Sequence, residues 1–262
     1  MTQGLAIGVG GALGRMGRAV TALIAADMRL TLAGRFDRPG AAAPAGDPGP
    51  LSDPEDVLVA SAVVVDFSTG PASAALARAA AARGGPALVL GATGLTDEET
   101  AAVHAAAARA AIVWSGNYSV GVNVLAGLVE QAARRLGPEV WDIEITETHH
   151  RRKIDAPSGT ALLLAAAAAR GRGRPLADLA LPARQGITGP RPAGAIGFAS
   201  LRGGGVVGEH SVLFAAEEET ITLTHAARDR ALFARGALEA AVWVAGRPPG
   251  LYDMIDVLGF RT

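Results

Sequence analysis

The first 24 residues constrain the fold most. Leu5-Ala6-Ile7-Gly8-Val9 reads as a short buried strand, glycines follow at 10, 11, 14 and 17, and Ala19 to Ile24 is a helical run. Strand, glycine turn and helix in that order bring bare backbone to a helix N-terminus, where a pyrophosphate is held. From Gly11 the spacing is G-x-x-G-x-x-G, and no Gly-Lys-Ser/Thr follows, so the phosphate loop of ATPases fits poorly. In a chain with 34 glycines among 262 residues, an ordinary glycine-rich bend would look the same. The next strand, Leu30 to Phe36, ends at Asp37-Arg38, 26 residues beyond Gly11. A carboxylate there accepts hydrogen bonds from ribose hydroxyls, and an arginine beside it meets a 2'-phosphate. NADH and NADPH both stay open, and so does an ordinary surface Asp-Arg pair.

The alternation continues to residue 120. Ser61 to Ser68, Pro86 to Leu90 and Ala111 to Trp114 read as strands, Ala72 to Arg83 as helix, and Thr96 with Glu99 as a capping box opening another helix. Such alternation indicates a parallel sheet covered on both faces, with polar strand ends lining one crevice. Pro39 to Pro54 reads as a loop, and His104 as structural or solvent-facing.

Residues 121 to 230 follow other rules. Val122 to Leu136 is an amphipathic helix; Val140, Ile143 and Ile145 mark a strand; Ala161 to Arg170 is helix; Gly171 to Gly194 reads as irregular. Three strand candidates follow, Ile196 to Arg202, Gly208 to Phe214 and Glu219 to His225, joined by hairpin-like turns. The expectation is an α/β chain: a Rossmann-like parallel-sheet nucleotide-binding domain, then an α+β domain on a mixed, mainly antiparallel sheet. One helical layer leaves the other face of that second sheet to be covered, and a subunit partner is expected there. Ala231 to Ala245 returns to helix, with Phe233, Leu238, Val242 and Trp243 as its buried stripe and Arg228, Arg230 and Arg235 as a solvated face.

Charge narrows the partners. Lys and Arg number 24 against 25 Asp and Glu, a net charge of -1, which gives no reason to expect nucleic acid or anionic lipid. The absence of cysteine excludes disulfides, thiolate zinc, iron–sulfur clusters and cysteine nucleophiles. Met1-Thr2-Gln3 has no basic character of a signal peptide, and no run reaches about 18 apolar residues, so no membrane span is expected and a cytoplasmic location is the default.

Titratable groups concentrate at Glu147-Thr148-His149-His150-Arg151-Arg152-Lys153-Ile154-Asp155-Ala156-Pro157-Ser158-Gly159-Thr160. Imidazoles titrate near pH 6.5 when unperturbed, so either histidine can hold or give a proton. Lys153 adds a charge or a proton, Ser158 is placed to cap the following helix, and the N–H groups of Gly159 and Thr160 suit a carboxylate. No His-Glu-x-x-His is present and His210 and His225 are remote in sequence, so no metal is expected. Pro157-Ser158-Gly159 lacks the leading residues of a serine-hydrolase elbow. With a nucleotide crevice, the segment describes hydride reduction of a small anionic imine or conjugated C=C–C=N, the protein supplying the proton.

At this segment the chain resembles the 4-hydroxy-tetrahydrodipicolinate (dihydrodipicolinate) reductase family of lysine and diaminopimelate synthesis. The pattern Glu-x-His-His-x-x-Lys-x-Asp-Ala-Pro-Ser-Gly-Thr-Ala is met from Glu147 to Ala161. Asp66-Phe67-Ser68, Gly91-Ala92-Thr93-Gly94, Asn117-Tyr118-Ser119, Gly208-Glu209-His210 and Gly250-Leu251-Tyr252-Asp253-Met254 extend the likeness along the whole chain. The resemblance implies His149 as proton donor or acceptor, Lys153 as proton donor, and His150, Gly159 and Thr160 as holders of a small dicarboxylate substrate. It implies NADH or NADPH against Gly11, Ala12, Leu13, Gly14, Arg15, Met16, Asp37, Arg38, Gly91, Ala92, Thr93, Ser115, Gly116, Asn117 and Tyr118. It also implies a homotetramer and a discontinuous nucleotide domain, 1–120 plus 231–262, around a substrate domain of 121–230. Ala92 stands where the family often has threonine, and Arg152 where it often has histidine. Two alternatives remain: a related reductase of another small amino or keto acid, and a non-catalytic cofactor sensor. A sensor would be expected to have lost His149 or Lys153, and both are present.

Overall fold

The computed structural model describes residues 4–47, 49–181 and 184–261. Met1-Thr2-Gln3, read above for a leader, and Pro182-Ala183, within the span read as irregular, lie outside them. The chain divides into two compact units, residues 1–120 with 231–262 and residues 121–230.

The first unit begins β1 (Leu5–Gly10), α1 (Arg15–Ala26), β2 (Leu30–Phe36), α2 (Pro54–Ala60), β3 (Val63–Asp66) and α3 (Gly70–Arg83). It continues with β4 (Ala87–Leu90), α4 (Asp97–Ala106) and β5 (Ala111–Trp114). The helix α5 (Val120–Arg135) leads into the second unit, which holds β6 (Asp142–His149), α6 (Gly159–Gly171), α7 (Leu176–Leu179), β7 (Ala180–Leu181), β8 (Ile196–Arg202), β9 (Gly208–Ala215) and β10 (Thr220–Ala227). The chain then returns to the first unit as α8 (Ala231–Val244), β11 (Gly250–Tyr252) and α9 (Met254–Val257).

In the first unit six parallel strands lie in the order β11-β5-β4-β3-β1-β2. Their side chains alternate into two cores. Ile7, Val9, Val63, Val65, Val89 and Val113 pack with the small-residue face of α8 and with Val20 and Ile24 of α1. Val64, Leu88, Leu90 and Ile112 pack on the other face with alanines and Leu76 of α3 and with Val103 of α4. Burial on both faces is why these strands read as continuous apolar runs.

Three features depart from the sequence expectations. β11 adds a sixth strand beside β5 where none was expected. α2 forms behind the loop; Asp53 accepts the Glu55 N–H, Pro54 occupies the first turn, and Val57 packs where Gly8 and Gly34 leave room. The buried face of α8 is made of Ala234, Gly236, Ala237, Leu238, Ala240, Ala241 and Val244, whereas Phe233, Val242 and Trp243 are half-buried. A Cβ at Gly236 would run into the Tyr118 carbonyl, so the helix lies too close to its neighbours for a large-residue stripe. His104 is exposed, with its ring edge-on to Trp114.

The second unit carries a mixed sheet in the order β10-β9-β6-β8-β7, antiparallel at β10–β9 and β9–β6 and parallel at β6–β8 and β8–β7. Part of the span read as irregular is ordered into α7 and β7. Arg191 pins its later part, bonding Glu144, Asp142 and the carbonyls of Ile143 and Ala195. On one face of the sheet Ile143, Ile145, Val212 and Phe214 are buried, and α6 contacts β6, β8 and β9. On the other face Thr146, Ala199, Leu201, Thr222 and Thr224 are exposed in the single chain.

Candidate active site

The glycine turn of the first unit is built for close backbone approach. Gly11 has φ +64°, in the left-handed region, and a Cβ on it would stand 3.0 Å from the Phe67 carbonyl carbon and the Ser68 nitrogen. A Cβ at Gly17 would stand 2.7 Å from Ala12 Cα, so glycine is what lets α1 start directly under the turn. In this strand order the connection reverses between β1 and β3, the place where open α/β sheets take ligands beyond their strand ends. A cavity of about 750 Å³ opens there, lined by Gly11, Leu13, Asp37, Arg38, Phe67 and Ala75 among others.

Asp37 Oδ2 accepts the Leu13 N–H at 2.8 Å and Oδ1 accepts the Arg38 N–H at 2.9 Å. The carboxylate therefore joins the end of β2 to the glycine turn, and each oxygen keeps a second lone pair for a ribose hydroxyl. Cradle, cavity and carboxylate fit the adenosine end of a nicotinamide dinucleotide. The 39–54 loop frames this cavity through Pro39 and Pro54. It is tied down by Arg35, whose guanidinium is 1 % exposed and bonds the Asp47 carboxylate and, at 3.2 Å, the Gly49 carbonyl. Sequence reading gave neither residue a role. Asp66, at the end of β3, is buried; burial pushes its carboxyl up, against hydrogen bonds from Ser73 and Ser68.

Among the residues expected to meet the cofactor, Asp37, Arg38, Gly11, Leu13 and Gly14 line the cavity. Arg15 is exposed and Met16 half-buried, and both lie in the first turn of α1. Ala12, Ala92 and Tyr118 have buried side chains and offer a ligand only backbone. The Tyr118 hydroxyl donates within the core, 2.8 Å from the Leu90 carbonyl and 3.0 Å from that of Val113, and bonds the strands that precede Gly91 and Ser115. Thr93 and Gly116 come together, a Cβ on the glycine standing 3.8 Å from the threonine methyl. Ser115 Oγ donates to the Asn117 carbonyl at 2.9 Å, closing the turn that follows β5.

The second unit gathers a cluster of titratable groups. Glu147 and His149 are two apart on β6 and share its buried face. Glu147 Oε2 lies 2.5 Å from His149 Nδ1. Arg202 of β8 grips the same carboxylate from both amino groups at 2.8 Å and also bonds the Asp155 carbonyl at 2.7 Å. Ser158 gives its N–H to Glu147 Oε1 at 3.2 Å, and its hydroxyl accepts the Ala161 N–H, capping α6. The Ser158 hydroxyl also lies 3.0 Å from His210 Nε2, and the His210 ring stands edge-on to His149 with centroids 5.0 Å apart.

Each shift in this cluster has a cause. Burial raises the Glu147 carboxyl, but hydrogen bonds from Arg202 and His149 outweigh it and leave it at about 2. Burial and then the charge of His149 push His210 down to about 4, so it is neutral at physiological pH. Burial, followed by the charges of Arg152, Arg230 and His149, also lowers His150. The hydrogen bond from Lys153 lowers Asp155; Lys153 Nζ bonds both Asp155 oxygens at 2.8 Å.

All of the expected catalytic and substrate residues fall in this one segment: His149 ends β6, His150 and Lys153 lie in the turn, and Gly159 and Thr160 open α6. Sequence reading missed Arg202, and it placed Arg230 on a solvated face; Arg230 is exposed, yet its Nη2 lies 3.4 Å from His150 Nε2. His210 belonged to a quoted motif without a role. The available signal was strand alternation, which puts His210 on the same side of β9 as buried Val212 and Phe214.

Comparison with known proteins decides the family. Sequence profiles described as dihydrodipicolinate reductase, N-terminus and C-terminus, match residues 5–118 and 121–258. The chain belongs to the dihydrodipicolinate reductase family. It is 56 % identical over 261 residues to the 4-hydroxy-tetrahydrodipicolinate reductase of Caulobacter vibrioides, covering 100 % of both chains. It is 51 % identical to that of Rhizobium rhizogenes, covering 96 % of each. The dipicolinate-bound dihydrodipicolinate reductase of Paenisporosarcina sp. TG-14 shares the fold, with a TM-score of 0.78 at 21 % identity over 97 % of this chain and 98 % of that one. The family's reductases are NAD(P)H-dependent oxidoreductases. Among the described residues no helix is long and apolar enough to cross a membrane.

Proposed function

We propose that this chain catalyses NAD(P)H-dependent reduction of the dehydrated 4-hydroxy-tetrahydrodipicolinate heterocycle to tetrahydrodipicolinate, in lysine and diaminopimelate biosynthesis. The observation that carries the reading is the Glu147–Thr160 segment, which sets a histidine in contact with a carboxylate at a strand end and follows it with a lysine and a capped helix start. The bound cofactor supplies the hydride. In the first unit, Gly11, Leu13, Gly14, Asp37 and Arg38 hold its adenosine end, and residues 91–93 and 115–118 contact it further along.

In the second unit, His150 and the Gly159 and Thr160 N–H groups hold the substrate carboxylates at the start of α6. A neutral His150 holds one as a hydrogen-bond donor. His149 and Lys153 handle protons. Lys153 is held by Asp155, which keeps the ammonium in place before substrate arrives. The functional division follows the two units: 1–120 with 231–262 for cofactor, 121–230 for substrate and subunit assembly. The exposed face of the mixed sheet supports a homotetramer, and the biosynthetic reaction suits the cytoplasm.

The test is oxidation of NADH and of NADPH in the presence of the product of dihydrodipicolinate synthase. Rapid oxidation of either is expected; none with that substrate, or faster turnover of oxaloacetate and ammonia, would overturn the reading in favour of another reductase. His149→Ala and Lys153→Ala are each expected to lower turnover by about 10²-fold or more while cofactor binding is retained. A variant with wild-type turnover removes that residue from the mechanism.

A further inference from the structure

The carboxylate beneath the proposed proton-transfer histidine has every acceptor position occupied. Glu147 is 1 % exposed. Its Oε2 meets His149 Nδ1 and Arg202 Nη1, and its Oε1 meets Arg202 Nη2 and the Ser158 N–H. The Ser200 side chain also hydrogen-bonds this carboxylate, so it cannot turn without breaking bonds to His149, Arg202, Ser158 and Ser200. The His149 ring is bounded as well: His210 stands edge-on to it, and its own carbonyl accepts the Gly203 N–H at 2.9 Å.

The opposite edge of the ring faces bare backbone. A Cβ at Gly208 would lie 2.9 Å from His149 Nε2, so the glycine leaves that nitrogen the room a side chain would take. One ring nitrogen is thus held against a carboxylate and the other stands beside the Gly208 backbone, with no side chain of that residue in its way.

We propose that Glu147, clamped by Arg202, is a positioning residue that holds the His149 ring as its Nδ1–H form, so that Nε2 is the atom through which a proton is exchanged with the substrate. Glu147 itself does not touch substrate or cofactor. When the histidine gives its proton, the Nε2–H bond breaks as the bond from that hydrogen to the substrate forms. The imidazolium becomes neutral imidazole with its lone pair at Nε2, the Nδ1–H stays on Glu147, and the carboxylate remains ionised throughout. When the histidine takes a proton, the same atoms act in reverse. Arg202 matters because an unclamped carboxylate could swing away from Nδ1 and release the ring.

The inference rests on the reading of His149 as a proton-transfer residue, and one experiment separates the two. Full-length protein carrying ¹⁵N-labelled histidine reports which ring nitrogen bears the proton, and the His149 signals are identified by their loss in His149→Gln. In the unsubstituted protein at a pH where the ring is neutral, the Nδ1–H form is expected. In Glu147→Gln, whose amide cannot satisfy both Nδ1 and Arg202 as the carboxylate does, the Nε2–H form is expected to appear. There kcat should fall about tenfold or more while the KM for cofactor stays within about twofold. Gly208→Ala should lower kcat and leave the Nδ1–H form intact. An Nε2–H ring in the unsubstituted protein overturns the proposal even if Glu147→Gln fails to fold. So does unchanged kcat in that variant, or a reduced kcat with the ring still Nδ1–H. Unchanged turnover in His149→Ala would instead remove the catalytic reading and leave the ring geometry standing.

Discussion

Two buried groups of the second unit make its stability depend on pH on the acid side. His210 is held neutral, its ring lowered from 6.5 to about 4 by burial and the charge of His149. Between those values the unfolded chain binds a proton that the folded chain refuses, so stability is full above pH 6.5 and declines as pH falls towards 4. Glu147, lowered from 4.5 to about 2 against the pull of burial, adds a second decline between those values. The melting temperature should therefore fall from pH 6.5 downwards, and His210→Gln should flatten the upper part of that fall while leaving the part below 4.5. Thermal unfolding at a series of pH values checks it; an unflattened curve would mean that His210 is not the group responsible. The residues that do this were unevenly visible in the sequence. His149 and Lys153 are four apart in one run, but Arg202 and His210 reach the cluster from strands 55 and 52 residues away from their partners, and Arg230 lies 80 from His150. Sequence spacing shows chemistry along one segment, whereas sheet register brings Arg202 beside His149 and His210 beside Glu147, and Arg230 reaches His150 from the loop after β10.

At the scale of elements, the starts of α1 and α6 are held differently. α6 is capped by a hydroxyl that also serves His210, so Ser158→Ala removes a cap worth about 1 kcal/mol and leaves a buried imidazole nitrogen without its partner, about 1–3 kcal/mol more. A lower denaturation midpoint is expected, together with weaker substrate binding; an unchanged midpoint would deny the cap its weight. α1 has no side-chain cap and depends on glycine for its approach. Gly17→Ala would press a methyl on Ala12 Cα and the Gly11 carbonyl, a strain of about 1–3 kcal/mol relieved by moving helix and turn apart. The KM for cofactor should rise about tenfold or more; fluorescence titration showing wild-type affinity would contradict this. The glycine turn, the Thr96–Glu99 box and the Ser158 cap were all legible, because each is a short-range device with its own residue signature. α2 was not read although Asp53-Pro54 signals its start, since it followed a proline-rich loop and spans only 7 residues. The buried stripe of α8 was misread because large residues were expected inside, where close packing selects alanine and glycine.

For the whole molecule, the mixed sheet raises the question of assembly. Leu201 is 55 % exposed in the single chain, on a face with Thr146, Ala199, Thr222 and Thr224. The proposed tetramer covers this face, and light scattering should return about four times the mass of the chain. Leu201→Glu should lower the mass, since a charge would have to be buried in the contact; an unaltered tetramer would place the contact elsewhere. The uncovered face was readable from sequence because the second unit offers only one helical layer to a sheet with two faces.

The return of the chain to its first unit also sets an order of manufacture. Residues 121–230 leave the ribosome before α8 and β11 exist, so the second unit has all its strands while the first still lacks one and has one apolar face of its sheet covered by α1 without α8. Until the last 32 residues, 231–262, arrive, β5 is a free edge open to pairing with other chains. Nucleotide affinity should therefore appear late in synthesis and all at once. A chain released early would carry the residues that line the nucleotide-unit cavity without the helix and strand that complete the sheet they stand on.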